Sequence, residues 1–296
     1  MYLKEDSRGE DVKTVQEILK KLGYNPGPVD GWYGQKTENA VICFQEEHNL
    51  YGDGIIGPNT WQSLHQALAI HIEEQINPQA ENDGQTGLMN WVRVPADPYR
   101  DGYDRFFLRE DAAQAYMRVY EKVQEAGGKL TSSGARRSLQ AAVSPSRSAT
   151  SFHYTGRALD LFVGSSMENR ALDPFVVSSD GDRYWRVFVR ADGGKPMEIE
   201  AVTYGSRKNG KLVNDRFLDL TSLFKAEGFE RIRARRSFFN NGTWLGAEWW
   251  HFQYEKGLKK GVSTFGGELL KVYTEDQVRP MPPWQYRARV FGVNWF

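Results

Sequence analysis

The stretch SFHYTGRALD at residues 151–160 decides how the larger part of this chain is interpreted. It carries a histidine, His153, and a carboxylate, Asp160, seven residues apart. Gly156 between them allows the backbone to turn sharply, and the apolar residues that flank Asp160 are typical of a buried strand. The stretch therefore predicts a loop that delivers one metal ligand and a strand that delivers another.

A third candidate ligand, His251, lies far downstream in the stretch EWWHF at residues 248–252. A hydrolytic zinc site needs three protein ligands and an open fourth position, and the chain has only five histidines from which to draw them. Glu248 precedes His251 by three residues, where a carboxylate can serve as a general base. Either histidine alone is explained equally well as a buried, hydrogen-bonded side chain. Together, each with a carboxylate at a useful offset, they favour a metal site.

Length and charge limit the class of protein. At 296 residues the chain is about twice a typical single domain, which favours two domains. Lys+Arg and Asp+Glu both number 38, a balance that argues against a nucleic-acid surface and against a polybasic membrane anchor. The single Cys43 excludes an intrachain disulfide. We expect a monomer that binds neither nucleic acid nor membrane.

The N-terminus lacks the apolar core of a secretory signal. We expect either that the protein leaves the cytosol by another route, such as lysis, or that a signal has been trimmed.

The first 70 residues are typical of a small helical module. Apolar residues from Asp11 to Leu22 recur with the 3.6-residue period of a half-buried helix, which Gly23 ends. An Asp-Gly turn at residues 30–34 precedes a second helix, and residues 53–57 repeat the Asp-Gly-x-x-Gly pattern. The two copies predict a short internal repeat.

These residues resemble the three-helix peptidoglycan-binding domain found on many cell-wall hydrolases. The resemblance rests on the opening G-x-D-V-x-x-V-Q at residues 9–16, on the D-G-x-Y/F-G-x-x-T turn and on the F-Q pair. A generic helical adaptor is the alternative. We place this domain at residues 1–70, a polar linker at 71–88 and a second domain at 89–296.

The second domain combines helix and strand patterns. Glu110 to Ala126 has helical periodicity, and strand-like runs follow at residues 185–189 and 198–202. Residues 213–229 predict a helix in their second half, and residues 230–236 predict a strand with a solvated basic face. The expected fold class is α+β: the three-helix module is followed by a domain with a mainly antiparallel sheet and flanking helices.

The motifs of this domain resemble those of the zinc D-Ala-D-Ala carboxypeptidase and dipeptidase family, in which VanY-like and VanX-like enzymes and phage L-alanyl-D-glutamate endopeptidases are grouped. The signature S-x-H-x-x-G-x-A-x-D is matched at every fixed position of residues 151–160, and E-x-W-H at residues 248–251. An upstream S-G-x-R-S element is matched loosely, with one residue too many, so either Arg136 or Arg137 fills its arginine position.

The resemblance covers residues 105–255 and implies an insertion near residues 165–215. It also implies a role for the motif residues. Zn²⁺ would be bound by His153, Asp160 and His251. Glu248 would be the general base and then protonate the departing amine. Either Arg136 or Arg137 would stabilise the oxyanion or hold a substrate carboxylate, and Ser151 would make a polar substrate contact.

We therefore expect a zinc peptidase that cleaves the peptide stems of peptidoglycan and is anchored to the wall by its N-terminal domain. D-alanyl-D-alanine carboxypeptidase is the first expectation, because an arginine is available for the terminal carboxylate. An L-alanyl-D-glutamate-type endopeptidase, as in a phage or prophage endolysin, is the alternative. A non-catalytic wall-binding protein is the alternative of another class. The site of action would be the cell wall or periplasm, with a cytoplasmic location until release for a phage lysin.

The stretch at residues 249–254 predicts a strand, in which alternate side chains face opposite sides. A regular strand through Glu248 would turn its carboxylate away from the face of His251. The mechanism therefore requires the strand to begin at or after Trp249, behind a bend for which Gly246 is available. Trp249 would then share the His251 face and line the cleft, while the alternate residues pack into the core.

Overall fold

The computed structural model describes residues 2–48, 50–76, 88–98, 105–139, 141, 148–162, 167, 169–203, 210–240, 244–279 and 292–294. A helical N-terminal module precedes a domain of antiparallel sheets and helices, so the predicted α+β class is confirmed. Within these ranges no helix has the length and apolar character that a membrane span requires.

The N-terminal module consists of α1 (Glu10–Lys21), α2 (Gln35–Glu47) and α3 (Pro58–Ile76). These helices share one apolar core, to which α1 contributes Val12, Val15 and Leu19 at helical spacing. α3 continues into the first residues of the predicted linker. The rest of that linker, residues 77–87, lies outside the described residues.

Two buried glutamines hold the two Asp-Gly turns in the same way. Gln16 Nε2 donates to Asp30 Oδ1 (3.1 Å), and Gln16 Oε1 accepts from the amide of the following glycine (2.9 Å). In the second copy Gln45 Nε2 donates to Asp53 Oδ1 (3.0 Å), and Gln45 Oε1 accepts from the next glycine amide (2.9 Å). The predicted internal repeat is confirmed, since one side chain in each copy satisfies the polar groups of its turn.

The described residues of the second domain form nine strands, five α-helices and two 3₁₀ helices. Its strands are β1 (Trp91–Pro95), β2 (Arg105–Arg109), β3 (Ser132–Gly134), β4 (Ala158–Leu161), β5 (Phe175–Ser179), β6 (Trp185–Ala201), β7 (Lys211–Asp219), β8 (Phe229–Arg231) and β9 (His251–Tyr254). Its helices are α4 (Glu110–Glu125), α5 (Leu220–Ala226), α6 (Arg236–Phe239), α7 (Phe265–Leu269) and α8 (Glu275–Val278), with 3₁₀ helices at Phe152–Thr155 and Trp244–Gly246. The strands form three antiparallel sheets in the orders β1-β2, β3-β4-β9-β8 and β5-β6-β7.

The four-stranded sheet positions the candidate site. β4 pairs with β9 in a register that sets Asp160 opposite His251. On its other side β4 pairs with β3, where Gly134 lies opposite Asp160. Residues from three distant parts of the sequence therefore meet at one point of this sheet.

The β5-β6-β7 sheet occupies the predicted insertion. β6 runs without interruption from Trp185 to Ala201 and joins two runs that the sequence predicts separately. Its register shifts between Arg190 and Lys195, so a bulge absorbs the two glycines in between. The second half of residues 213–229 is helical, as predicted, and forms α5.

The predicted strand at residues 230–236 is shorter than expected, because β8 ends at Arg231. The basic residues there have acidic partners: Arg231 Nη2 lies 2.5 Å from Asp180 Oδ2, and Arg233 Nη2 lies 2.5 Å from Asp182 Oδ2. Arg233, Arg235 and Arg236 are exposed while Ala234 is buried, so the basic face is solvated, as expected, and two of its arginines also pair with aspartates.

The C-terminal tail packs against the domain through a buried charge network. We call Arg109, Asp111, Arg157 and Glu268 the tail network. Glu268 Oε2 accepts from Arg109 Nη1 (2.8 Å) and from Arg157 Nη1 (3.0 Å), and Arg109 Nη2 pairs with Asp111 Oδ2 (2.8 Å). Both guanidinium groups are buried and both contact carboxylates, so this network is closed within the chain.

Candidate metal centre and substrate cleft

His153 is delivered by a tight local turn. Ser151 Oγ accepts from the His153 amide (3.4 Å) at the start of the 3₁₀ helix. Gly156 ends the helix with a φ of 68°, and a Cβ at this position would lie 2.7 Å from the Arg109 amide nitrogen. Only glycine fits there, since both the left-handed backbone and the close approach exclude a side chain. The predicted loop is thus a single capped turn followed by β4.

The imidazole of His153 is oriented by the main chain. Its Nδ1 forms a short hydrogen bond with the carbonyl oxygen of Ala135, and its Nε2 lies 3.3 Å from Asp160 Oδ2. A carbonyl only accepts, so Nδ1 carries the proton and the lone pair of Nε2 faces Asp160. Such an outer contact is the usual way to fix the tautomer of a metal-binding histidine.

His251 completes the group from β9. Its Nδ1 lies 3.0 Å from Asp160 Oδ1, and the His153 and His251 ring centroids are 5.0 Å apart. One ligand atom of each residue lies within 4.8 Å of the others. We call His153, Asp160 and His251 the metal cluster. The structure thus brings together the three residues that the sequence predicts as ligands.

The protonation states of the metal cluster suit a cation. Burial lowers the pKa of His153; the nearby Asp160 carboxylate opposes this, while Arg137 and His251 add to it. Burial would raise the pKa of Asp160, but its contacts with His153 and His251 hold that pKa well below the ordinary value. The cluster therefore presents a neutral imidazole and an ionised carboxylate, the forms that metal binding requires.

Glu248 lies outside any regular strand. β9 begins at His251, and the His251 amide donates to the Glu248 carbonyl (3.3 Å) across a turn. The bend is at Glu248 itself, which has a φ of 55°, whereas Gly246 belongs to a 3₁₀ helix. Glu248 Oε1 accepts from Arg235 Nε (2.8 Å). The requirement that the strand start after Trp249 is met, although the residue that bends differs from the one expected.

The prediction that Trp249 lines the cleft is wrong. It is only 2% exposed and belongs to the main apolar core, as do Trp250, Phe252 and Tyr254. Because the chain turns at Glu248, the alternation of side-chain directions in β9 does not extend back to Trp249. Trp249 therefore does not share the face of His251. Burial leaves Trp249 no surface with which to line the cleft.

The two motif arginines have different surroundings. The Arg137 guanidinium lies 5.5 Å from the Tyr154 ring centroid, and its charge helps to lower the pKa of His153. The Arg136 guanidinium lies 4.6 Å from the Trp91 ring centroid, and its Nε donates to the Tyr273 hydroxyl (3.2 Å). Both arginines thus lie over aromatic rings, and Arg137 in addition contributes positive charge near His153.

A cavity of about 270 Å³ opens beside the metal cluster. Its lining comes from both parts of the chain: Cys43, Leu50, Tyr51, Gly52, Arg105, Phe106, Phe107, Ser133, Gly134, Ala135, Arg136, Arg137, Ser138, Ala141, His153 and Asp160. We call this cavity the cleft. Both motif arginines and two of the three metal-cluster residues lie on it.

Two contacts of the site could not be predicted from the sequence. The Ala135 carbonyl is a main-chain acceptor and leaves no side-chain signature. Arg235, the partner of Glu248, belongs to the basic run whose alternation points to a solvated face. The acidic residues that pair with this run could identify Arg235 as a contact of the site, but they are distant from the run in sequence.

Comparison with known proteins identifies the N-terminal module. A family model described as a putative peptidoglycan binding domain matches residues 8–64. The chain is 33% identical over 114 residues to the N-acetylmuramoyl-L-alanine amidase CwlM of Mycobacterium tuberculosis, a match that covers 36% of this chain and 27% of that protein. It is 38% identical over 66 residues to the carboxy-terminal processing protease CtpB of Bacillus subtilis, covering 22% and 14%.

Among solved structures, the chain is similar to the Burkholderia AP3 phage endolysin. That match has 26% identity and a TM-score of 0.21, and it covers 46% of this chain and 40% of the endolysin. The chain spans 27% and 14% of the lengths of the two curated relatives. Residues 8–64 therefore match a peptidoglycan-binding domain, and over part of its length the chain is similar to a cell-wall amidase.

Proposed function

We propose that the second domain is a zinc-dependent peptidase that cleaves peptidoglycan stem peptides. Of the two alternative activities, we propose that of a D-alanyl-D-alanine carboxypeptidase. The observation that carries this proposal is the convergence of His153 Nε2, His251 Nδ1 and the Asp160 carboxylate within 4.8 Å. The peptidoglycan-binding domain would bind the polymer on which such a site would act.

The donor set fits a catalytic zinc ion. Two imidazole nitrogens and one carboxylate oxygen are typical zinc ligands, and three of them leave a position open for substrate. Structural zinc sites usually have four ligands, often cysteines, and among the described residues the group that could hold a metal is His153, Asp160 and His251, without a cysteine. A bound zinc ion supplies Lewis-acid polarisation of a carbonyl and lowers the pKa of water toward about 7.

Glu248 is the proposed proton carrier. Its turn precedes His251 directly, and its side chain is 13% exposed, so the carboxylate is shielded but not sealed from solvent. In this proposal its carboxylate would take a proton from the attacking water and return it to the departing amine. Arg235 holds the Glu248 carboxylate through one oxygen, Oε1, and is the proposed positioning residue for it.

The arginines favour a substrate with a free carboxylate. Arg137, whose charge reaches His153, is the proposed stabiliser of the developing oxyanion. Arg136 lies on the same cleft and is the proposed partner of the terminal carboxylate, for which its planar guanidinium is suited. A terminal D-Ala presents such a carboxylate next to the bond to be cleaved. This pairing supports carboxypeptidase over endopeptidase activity.

The test combines metal analysis with mass spectrometry of defined muropeptides digested by the full chain. We expect one zinc per chain and loss of a terminal D-Ala from pentapeptide stems. Cleavage between L-Ala and D-Glu would instead support the endopeptidase activity. Intact muropeptides after incubation with the zinc-loaded protein would contradict both and favour a wall-binding protein.

Glu248→Gln should separate proton transfer from metal binding. We expect full zinc content and a kcat lower by about 10²–10⁴-fold, the usual contribution of a general base. Glu227→Gln is the matched control, because Glu227 also pairs with an arginine, Arg118 (2.6 Å), and its side chain is 14% exposed. Normal turnover in Glu248→Gln would remove Glu248 from the mechanism.

A further inference from the structure

The cleft is not made by the peptidase domain alone. Four of its lining residues, Cys43, Leu50, Tyr51 and Gly52, belong to the peptidoglycan-binding module. They follow or end α2 and face a wall that carries His153 and Asp160. The module therefore lies directly beside the metal cluster.

Specific contacts hold the module in this place. Arg93 of β1 donates from Nη1 to the Leu22 carbonyl (2.7 Å), and its guanidinium lies 4.9 Å from the Tyr24 ring centroid. Gly23 between them leaves room for two arginines: an added Cβ would lie 2.7 Å from Nη1 of both Arg93 and Arg105. The end of α1 is thus shaped to receive side chains of the second domain.

Hydrogen bonds hold the backbone of the module's part of the cleft. The Leu50 amide donates to the Gln45 carbonyl (2.7 Å), and the Asp53 amide donates to the Tyr51 carbonyl (2.9 Å). Gln45 fixes the next turn through Asp53 and the Gly54 amide. Tyr51 therefore stands on a backbone that is hydrogen-bonded on both sides, yet its ring is 67% exposed. An exposed aromatic ring on a hydrogen-bonded backbone is suited to contact a ligand.

The opposite wall defines the chemistry of that ligand. Arg105, Arg136 and Arg137 all line the cleft, and no carboxylate other than Asp160 is on its lining among the described residues. The cleft therefore favours an anionic peptide, for which the guanidinium groups supply positive charge and the Tyr51 ring supplies an apolar surface. Stem peptides carry free carboxylates and meet this description.

We propose that the peptidoglycan-binding module forms one wall of the peptidase's substrate site, with Tyr51 as a substrate contact for the anionic stem peptide. This inference rests on the proposed function for the identity of the peptide. It changes the role of the module, which contributes to binding of a soluble peptide and not only to attachment at the wall.

The kinetic test uses full-length Tyr51→Ala and a soluble stem peptide. We expect KM for the peptide to rise about five- to tenfold, as for loss of an aromatic contact, with kcat unchanged. Tyr2→Ala is the matched control, since Tyr2 is 71% exposed on the same module and lies against Gly57, outside the cleft lining. Arg93→Ala should raise KM as well, because it loosens the docking of the module.

A second test does not depend on turnover. Cys43 is the single cysteine of the chain and lines the cleft, so its rate of alkylation reports occupancy. In Glu248→Gln, saturating stem peptide should slow alkylation of Cys43 at least severalfold. Unchanged alkylation together with unchanged KM in Tyr51→Ala would overturn this inference. Absence of hydrolysis by the wild-type protein, with Cys43 still protected, would contradict the proposed function while supporting the shared site.

Discussion

Two buried clusters of ionisable side chains lie in the same domain and differ in what completes them. In the tail network, guanidinium hydrogens point at carboxylate oxygens, and Glu268 accepts from both Arg109 and Arg157 at 2.8 and 3.0 Å. In the metal cluster, the groups that meet are a carboxylate and two imidazoles, one of which, His153, turns its lone pair inward. One cluster contains its own cations, whereas the other has the donor groups of the proposed metal site.

The difference shows how a buried charge cluster can be assigned to structure or to function. Burial of charge is costly in both cases, and each must be compensated. A cluster compensated by its own arginines stabilises contact between two segments of chain. A cluster of convergent lone pairs is compensated fully only by a bound ion. The two clusters should therefore respond in opposite ways to substitution and to chelators.

The largest effect should come from His153→Ala. Removing one of three ligands should lower metal affinity by more than the about 10–100-fold that loss of an outer contact causes. Activity should fall with it, while the unfolding free energy measured in a chelator changes little. Metal analysis and chemical denaturation test this, with His65→Ala in the other domain as control. Full zinc content in His153→Ala would contradict the proposal that the two clusters have different roles.

Glu268→Ala should show the reverse pattern. It leaves the buried Arg109 and Arg157 without their shared carboxylate, so we expect a loss of about 3–5 kcal/mol in unfolding free energy. The loss should be the same with and without a chelator. Glu275→Ala is the control, because Glu275 lies 3.6 Å from Arg279 at the surface and should cost about 0–1 kcal/mol. A loss in Glu268→Ala that disappears in the chelator would link the tail network to the metal.

Ser151→Ala should give the smallest effect and sharpen the role of the motif serine. As a cap of the turn that carries His153, it should lower the unfolding free energy by about 1 kcal/mol. As a substrate contact, it should instead raise KM at unchanged stability. Denaturation and peptide kinetics on the same variant decide between these roles, with the nearby exposed Ser148→Ala as control.

Those parts of the protein that depend on local patterns could be predicted from the sequence. α1 and α4 follow from apolar periodicity, and the two Asp-Gly turns follow from their repeated spacing. The proximity of His153, Asp160 and His251 could be predicted because few residue types bind metal ions and this chain has few histidines. In each case the information lies within a short segment or in the chemistry of one side chain.

Features set by tertiary contacts could not be predicted in the same way. β6 continues through two glycines because its partner β7 accommodates a bulge there. Trp249 is buried because Glu248 takes up the turn and shifts the alternation that a straight strand would impose. The docking of Arg93 on Leu22 joins residues that share no motif.

The left-handed backbone of Glu248 has a consequence for the evolution of this chain. A non-glycine residue with a φ of 55° costs about 1 kcal/mol or more, and glycine or asparagine would relieve that cost. A more stable protein is therefore one substitution away, but that substitution removes the carboxylate. Under the proposed function, such a substitution would convert a hydrolase into a binding protein, and selection for turnover would keep glutamate at this position.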